Sequence, residues 1–267
     1  MAVEFHTLPV AVRRETDDSV CVSLAVPDEL RPAFRHTPGQ HVVLRAWIDG
    51  EDVRRSYSIC SSANDDELRV GIKRIPDGVF SGWATTELAD GDAIDVMAPI
   101  GDFGRVPDPS ARGEYVALAA GSGITPILSI LSTTLEIEEQ SRFTLVYGNR
   151  TSTSIMFLEE VEALKNRFPD RLQVIHVLSR EPHEIPLFEG RIDADKLRAL
   201  AATLIDVPGV HEWFLCGPLD MVETAQCTLT ELGVPAERVR TELFFDERIE
   251  SVAGESEGTA GLVSLQL

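Results

Sequence analysis

The sequence predicts two domains, an antiparallel six-stranded β-barrel followed by a Rossmann-like parallel α/β domain. Three observations support this fold class. The first ~100 residues contain short β-rich runs separated by turn residues. Later residues alternate apolar strands with helical spacing, and a segment rich in Pro, Gly and charge, residues 106–114, lies between the two patterns. We place the barrel at residues 1–108, the α/β domain at residues 112–245 and a C-terminal segment at residues 246–267.

The barrel strands are marked by β-branched and aromatic residues that alternate with Asp, Gly, Pro and Asn. From Val3 to Pro99 we expect about six strands, and the runs that mark them are VCVSLAVP, QHVVLRAWIDG, SYSICSS, ELRVGIKRI and DAIDVMAP. About six strands in a segment of this length are typical of an antiparallel barrel. One short helix is expected near Ser81 to Leu88, with Ser81 as its N-cap.

The second half alternates strands and helices. The strand YVALAAG precedes a helix from about Thr125, and FTLVYGN precedes one from Thr153. LQVIHVLS precedes a helix from about Asp193, EWFLCGP precedes one that runs to Leu232, and VRTELF closes the set. Apolar strands that alternate with helices predict a parallel sheet with both faces covered.

The charge balance argues against several classes of protein. With 24 Lys and Arg against 44 Asp and Glu, the formal net charge is −20, which repels phosphate backbones and anionic lipid. The apolar stretch from Tyr115 to Leu131 is short for a membrane span and is interrupted by glycine and proline. The N-terminal residues lack the basic and apolar regions of a signal peptide. We therefore expect a cytoplasmic protein with no nucleic-acid partner and no membrane partner.

The cysteines predict neither a disulfide framework nor a metal site. The four of them, Cys21, Cys60, Cys216 and Cys227, are widely spaced and contain no C-x-x-C pair. This usage suits a reducing compartment.

A glycine-rich turn predicts a nucleotide site in the second half. The strand YVALAAG runs into Gly121 and Gly123 and then into a helix that begins near Thr125 and has Pro126 in its first turn. Glycines at this junction let a ligand approach the backbone, and the helix N-terminus offers free N–H groups to a pyrophosphate. Alone, the motif would equally fit a tight strand-to-helix turn.

Three further strands end in polar or reactive residues at the same predicted sheet edge. These are Asn149 with Arg150, Ser179 with Arg180, and Cys216 with Gly217 and Pro218. Two arginines and a serine at one edge suit a phosphate monoester such as the 2′-phosphate of NADP. The alternatives are a solvated loop cation for Arg180 and a small buried apolar side chain for Cys216.

A polar cluster interrupts the barrel strands. Arg55, Tyr57 and Ser58 on one strand and Lys73 on another would converge on a single ligand. Cations, an aromatic face and a hydroxyl match the phosphate and ring of a flavin nucleotide, and residues 78–81 supply a second helix N-terminus for a pyrophosphate. The alternative, a surface strand with scattered charges, explains less, because it leaves the two phosphate-binding motifs unrelated.

These motifs occur in the order found in the ferredoxin–NADP reductase superfamily, which the sequence resembles from residue 1 to about 245. They are Arg55-Ser56-Tyr57-Ser58, Gly71-Ile72-Lys73, Gly78-Val79-Phe80-Ser81, Gly121 to Pro126, Cys216-Gly217-Pro218 and Glu242-Leu243-Phe244. The pairing of R-x-Y-S with C-G-P at this separation is the specific part. Within the superfamily, MFLEEVEALKNRFPDRLQVIHVLSRE and VYGNR look most like the reductase components of bacterial phenylacetyl-CoA epoxidases.

The resemblance implies FAD in the barrel and NADPH in the second domain. Hydride would pass from nicotinamide C4 to flavin N5, and single electrons would leave to an iron–sulfur centre that serves an oxygenase component. It implies that Arg55 binds a flavin phosphate, Tyr57 stacks on the isoalloxazine and Ser58 lies near N5. Cys216 would lie beside the reacting carbon, with Glu242 steadying that site. The cofactor-binding set it implies is Arg55, Ser56, Tyr57, Ser58, Gly71, Ile72, Lys73, Gly78, Val79, Phe80, Ser81, Gly121, Gly123, Thr125, Asn149, Arg150, Ser179, Arg180, Cys216, Gly217, Pro218 and Phe244, with Ser58, Cys216 and Glu242 as catalytic residues.

The C-terminus departs from the family pattern. A plant-type [2Fe–2S] domain needs C-x₄-C-x₂-C and a later cysteine, and no cysteine follows Cys227. We expect residues 246–259 to be an acidic linker and the remainder to begin a cluster domain, so the chain would be a fragment rather than a natural short form, and would itself bind no iron–sulfur cluster. The alternative functions are a generic NAD(P)H–flavin reductase that serves a separate ferredoxin or a haem partner, and a nucleotide-binding regulatory module without catalysis.

Overall fold

The structure, a computed structural model, describes residues 4–244, so the predicted linker and the strand after it lie outside the described residues. The first six strands are β1 (His6–Thr16), β2 (Ser19–Leu24), β3 (His41–Ile48), β4 (Glu51–Ser58), β5 (Leu68–Lys73) and β6 (Ala93–Val96). They pair antiparallel in the order β4–β3–β6–β1–β2–β5. A bridge between Ile59 and Val70 brings the two edges together. The predicted six-stranded barrel is confirmed.

Strand β1 lies outside the five runs that marked the barrel. Its residues Leu8 and Val10 are buried, while most positions between and after them are partly or fully exposed. Pro9 and the charged residues that follow Val12 are poor β-formers, so the run lacks the composition of the other strands. Its pairing with two neighbours outweighs that weak local preference.

Two short helices interrupt the barrel, α1 (Arg31–Phe34) and α2 (Val79–Thr86). The N-cap of α2 is Gly78, so the prediction of Ser81 as the cap is wrong. Ser81 lies inside the first turn, and its Oγ accepts a hydrogen bond of 3.1 Å from the backbone N–H of Ile75. The hydroxyl therefore closes the loop before the helix instead of capping it.

The second domain is a five-stranded parallel sheet with the order β11–β10–β7–β8–β9. Its strands are β7 (Glu114–Ala120), β8 (Arg142–Asn149), β9 (Leu172–Leu178), β10 (Glu212–Gly217) and β11 (Val239–Leu243). Its helices are α3 (Ile124–Ile137), α4 (Leu158–Arg167), α5 (Ala194–Thr203) and α6 (Leu219–Glu231). Alternate residues of β7 join opposite cores: Ala117 packs with the α3 and α4 side chains, and Leu118 with those of α5 and α6. Both faces are thus covered, as predicted.

The helix boundaries agree with the sequence except after β8. The helix expected from about Asp193 begins at Ala194, and Asp193 is its N-cap, because its carboxylate accepts the backbone N–H of Lys196 at 2.9 Å. The helix predicted from Thr153 instead begins at Leu158, so that prediction is wrong. A short 3₁₀ turn occupies residues 152–154, and Phe157 adopts a left-handed backbone (φ 56°) that separates the turn from α4. None of the helices within residues 4–244 is both long enough and apolar enough to cross a membrane.

The two domains are joined by hydrogen bonds and by close packing. Ser62 Oγ donates to the Glu136 carboxylate at 2.7 Å, and the Phe157 N–H donates to the Glu15 carboxylate at 3.2 Å. On the barrel side, Gly71 faces Thr125 so closely that a Cβ on the glycine would lie 2.6 Å from the Thr125 methyl carbon. The interface therefore requires glycine at this position.

Replacing Gly71 by alanine should destabilise the protein by overpacking this interface. The added methyl would also lie 2.9 Å from the Phe157 ring. We expect Gly71→Ala to lower the free energy of unfolding by about 1–3 kcal/mol in urea titrations.

The control is Gly82→Ala, because a Cβ at Gly82 in α2 meets nothing within 4 Å. It should leave the free energy of unfolding unchanged or raise it, since alanine is the better helix former. Adding Thr125→Ser to Gly71→Ala removes the opposing methyl and should restore part of the loss. Wild-type stability of Gly71→Ala would contradict the interpretation.

Candidate functional site

A hydrogen bond between the domains marks the site. Ser58, the last residue of β4, donates from Oγ to Glu242 Oε2 at 2.9 Å, although the two residues are 184 positions apart. Ser58 is buried, and Glu242 lies on β11, the last strand of the second sheet. A residue of each predicted nucleotide motif therefore contributes to one contact.

Cys216 lies next to this contact. It is fully buried on β10 and is the direct neighbour of Glu242 in the parallel ladder with β11. The turn after β7 approaches it closely: a Cβ on Gly123 would lie 2.2 Å from the Cys216 carbonyl oxygen. Glycine at position 123 thus permits the ends of β7 and β10 to meet beside the Ser58–Glu242 pair.

The site changes the protonation of its acids. Burial raises the pKa of Glu242 to about 7, the charge of Asp102 adds to the rise, and the hydrogen bond from Ser58 opposes it. Burial, together with the charge of Glu242, raises the pKa of the Cys216 thiol well above its ordinary value. At neutral pH the cysteine is therefore a neutral thiol rather than a nucleophile, and Glu242 can gain or lose a proton.

Tyr57 lies with one side against the barrel core. Its ring centroid is 5.5 Å from that of Phe80, at an interplanar angle of 40°. Phe80 is fully buried, so it supports Tyr57 from behind, while Tyr57 itself stays partly exposed. Arg55 leaves the same face of β4 two residues earlier, and Ser56 between them is exposed on the other face.

The remaining barrel residues take several positions. Lys73 at the end of β5 forms an ion pair of 3.1 Å with Asp18. Ile72 is fully buried in the barrel core, and Val79, the first residue of α2, is half exposed. Gly78 is the N-cap of α2, and no side chain accepts a capping hydrogen bond there. The backbone N–H groups in the first turn of α2 can therefore face a ligand.

At the edge of the second sheet, the ends of β8 and β9 lie together. The Ser179 N–H donates to the Asn149 carbonyl at 2.9 Å, and the Arg180 N–H donates to the Arg150 carbonyl at 2.8 Å. Both arginines are exposed, and Asn149 is buried. Gly121 has a left-handed backbone (φ 54°), with nothing within 4 Å of where its Cβ would be.

The last predicted residues lie close to Cys216. Gly217 packs against α6, because a Cβ there would lie 2.8 Å from the Met221 methyl carbon, and Pro218 is the N-cap of that helix. Phe244 packs against the core cluster that contains Cys216.

The residues fit a flavin nucleotide and a nicotinamide dinucleotide. One aromatic face, one cation and one helix N-terminus lie on the barrel, and an open glycine turn and two exposed cations lie on the second sheet. These are the groups that bind aromatic rings and phosphates. The two sets meet at the hydrogen bond between Ser58 and Glu242.

The sequence reasoning missed His41 and Asp102. His41 is directly opposite Ser58 in the β3–β4 register. Gly101, the residue before Asp102, lies against His41, because a Cβ on Gly101 would be 3.0 Å from the His41 Nδ1. Asp102 lies close enough to shift the pKa of Glu242. In the sequence, Asp102 is marked only by the glycine before it, in a loop just before the domain boundary that contains no recognisable motif.

Two protein families match the chain. The oxidoreductase FAD-binding domain matches residues 11–104, and the oxidoreductase NAD-binding domain matches residues 117–227. These matches fall on the barrel and on the parallel sheet respectively.

Curated relatives are similar over most of the chain. One subunit of the 1,2-phenylacetyl-CoA epoxidase of Escherichia coli is 46% identical over 241 residues, which is 90% of this chain and 68% of that protein. The ferredoxin reductase component of the 3-ketosteroid-9-alpha-monooxygenase of Rhodococcus rhodochrous is 38% identical over 88% of this chain and 63% of its own length. The chain thus spans about two thirds of these relatives.

Solved structures share the architecture. A cytochrome P450 reductase of Amycolatopsis superposes with a TM-score of 0.73 at 28% identity, covering 91% of this chain and 71% of that one. A ferredoxin NADP⁺ reductase of Neisseria gonorrhoeae with bound FAD and NADP superposes with a TM-score of 0.75 at 20% identity, covering 91% and 100%.

Fold, site and matches together define an NAD(P)H-dependent flavoprotein oxidoreductase. The chain belongs to the ferredoxin reductase-like family of FAD- and NAD-binding oxidoreductases. The resemblance derived from the sequence motifs is therefore confirmed.

Glu242 should make folding pH-dependent. Because burial raises its pKa from 4.5 to about 7, the folded protein keeps a proton that the unfolded chain releases. This contribution to stability is complete below about pH 4.5 and is lost as the pH rises through about 7. We expect wild-type stability to fall relative to Glu242→Gln by up to about 3 kcal/mol between pH 5 and 8, measured by urea titration without added nucleotide.

The matched control is Glu237→Gln, an exposed glutamate just before β11. It should keep the wild-type pH dependence. Parallel curves for wild type and Glu242→Gln would show that the carboxyl group does not titrate differently in the folded state.

Proposed function

We propose that this protein passes hydride from NADPH to FAD and then single electrons to an iron–sulfur centre of a multicomponent oxygenase of the phenylacetyl-CoA epoxidase type. The observation that carries the proposal is the Ser58–Glu242 hydrogen bond with Cys216 beside it. It joins the residues that the flavin and nicotinamide motifs predicted at one buried point. The similarity to the Escherichia coli epoxidase component supports the oxygenase assignment.

In this proposal the barrel holds and orients FAD. Tyr57, supported by Phe80, presents its exposed side to the flavin ring, and Arg55 and the first turn of α2 bind the phosphates. When bound, FAD supplies the chemistry, because it accepts two electrons as hydride and gives them up one at a time. The contact with Phe80 would hold the Tyr57 ring in position to contact the flavin.

In this proposal Cys216 and the Ser58–Glu242 pair line the point of transfer, and Glu242 holds a proton. Cys216 is fully buried and neutral, so it offers a polarizable contact without charge. Glu242 is partly protonated near neutral pH and is hydrogen-bonded to Ser58 Oγ. The Ser58–Glu242 pair could therefore hold a proton on the Glu242 carboxyl group, with the Ser58 hydroxyl as its hydrogen-bond partner.

The choice of NADPH rests on the edge of the second sheet. Arg150 and Arg180 follow strands whose ends are hydrogen-bonded to each other, and Ser179 directly precedes Arg180. A doubly charged 2′-phosphate would make charge-assisted hydrogen bonds there that NADH lacks.

Arg180→Ala should weaken the binding of NADPH much more than the binding of NADH. Loss of one charge-assisted hydrogen bond corresponds to about ten- to a hundredfold in apparent affinity. Flavin-reduction kinetics with each donor would give the two KM values.

Arg112→Ala is the matched control, because Arg112 is an exposed arginine before β7, at the opposite end of the sheet. It should change neither KM. Equal losses for both donors in Arg180→Ala would remove the basis for preferring NADPH.

The proposed function is tested by loading and turnover of the chain. The purified protein should bind FAD, be reduced by NADPH and pass electrons to ferricyanide. Its four separated cysteines lack cluster-ligand spacing, so it should contain no stoichiometric iron and sulfide, and should drive an epoxidase-type oxygenase only when an iron–sulfur protein is added. Oxygenase turnover without that addition, or no flavin binding, would overturn the proposal.

A further inference from the structure

The loop that carries Asp102 is fixed to the barrel on one side. Ile100 and His41 exchange two backbone hydrogen bonds of 2.9 Å, and Gln40 Nε2 donates to the Gly101 carbonyl at 3.1 Å. Gly101 has a backbone φ of 114°, a conformation that glycine adopts readily and other residues do not. His41 is the register partner of Ser58, so this side of the loop lies next to the Ser58–Glu242 contact.

The same loop is fixed to the second domain on its other side. The Phe103 ring packs edge-on against Phe214 of β10 with centroids 6.1 Å apart. Arg240 Nη1 donates to the Gly104 carbonyl at 3.0 Å. Arg240 and Glu242 are two residues apart on β11, so the loop runs beside the strand that carries Glu242.

Asp102 is therefore held between His41 on the barrel and Glu242 on β11. The electrostatics agree with this geometry. Burial lowers the pKa of His41, and the negative charge of Asp102 opposes that shift. Burial raises the pKa of Glu242, and the negative charge of Asp102 raises it further. Asp102 is itself exposed, so its carboxylate is in contact with solvent.

We propose that Asp102 determines which redox state of the nicotinamide the site prefers, by stabilising the oxidised, positively charged ring over the reduced, neutral ring. The inference rests on the proposed function, which puts the nicotinamide beside Cys216 and Glu242. Hydride transfer removes a hydrogen nucleus and two electrons from the ring, which leaves a cation, while the flavin gains the hydride. An anion held at this place stabilises the charge as it develops.

The neighbouring cations do not cancel this anion. Arg240 Nε lies 2.9 Å from a Glu212 carboxylate oxygen, and Arg105 is paired with Glu138 and Glu212. These side chains thus have carboxylate partners of their own. Glu242 contributes no charge while it is protonated, and in that state Asp102 carries the negative charge next to the proposed ring position.

The test compares two nucleotides that differ in ring charge. NADP⁺ has a cationic ring, and a tetrahydronicotinamide analogue of NADPH has a neutral ring that cannot donate hydride. Titration followed by flavin absorbance would give a Kd for each. Asp102→Asn should raise the Kd of NADP⁺ by roughly three- to tenfold and leave the Kd of the analogue unchanged. This is the effect expected on losing one solvated charge near the ring.

Two variants control for loss of fold and loss of net charge. Asp102→Glu retains the anion and should keep the wild-type ratio of the two Kd values. Asp170→Asn removes an exposed carboxylate in the turn after α4 and should change neither value. A purely structural role for Asp102 would move both Kd values together.

Equal weakening of both nucleotides in Asp102→Asn, or no change in either, would overturn the inference while leaving the proposed function in place. Failure of the unmodified protein to bind any nicotinamide nucleotide would overturn the proposed function and the inference with it. The two failures are therefore distinguishable in the wild-type titration.

Discussion

The hydrogen bond from Ser58 to Glu242 is the contact on which the site depends. It can form only where the ends of two sheets meet, because β4 and β11 are each the edge strand of their own sheet. Burying a carboxylate costs free energy, and here the cost is limited in two ways. The hydroxyl of Ser58 donates to the carboxylate, and the raised pKa lets the group become neutral near physiological pH.

Two glycines allow the close packing that brings Ser58 and Glu242 together. A side chain at Gly123 would collide with the Cys216 carbonyl, and one at Gly71 would collide with Thr125. Both glycines belong to motifs that predicted ligand contacts, yet in the structure each gives room to a neighbouring segment of protein. The missing side chain at Gly71 thus lets the two domains pack closely, and the missing side chain at Gly123 lets the ends of β7 and β10 meet within the second domain.

Features encoded by adjacent residues were predictable, and features encoded by distant contacts were not. The start of α5 next to Asp193 and the C-G-P sequence at the end of β10 depend on a few neighbouring residues, and both appear where expected. The start of α4 was missed because Phe157 takes its left-handed backbone where it contacts Gly71 and Glu15 of the barrel. Asp102 was missed for the same reason: its relation to Glu242 exists only once β11 lies beside the loop.

The charge of the protein limits how it can attract a dinucleotide. With a net charge of −20, the long-range field disfavours an anionic ligand, and several barrel cations are already paired, as in Arg45 with Asp95 and Lys73 with Asp18. Affinity must therefore come from contacts at short range, within about 10 Å, where salt screens little. In the proposed function the exposed arginines after β8 and β9 would supply such contacts, because they lie at one sheet edge. The carboxylate of Asp102 would then favour release or retention of the nicotinamide according to the charge that hydride transfer leaves on its ring.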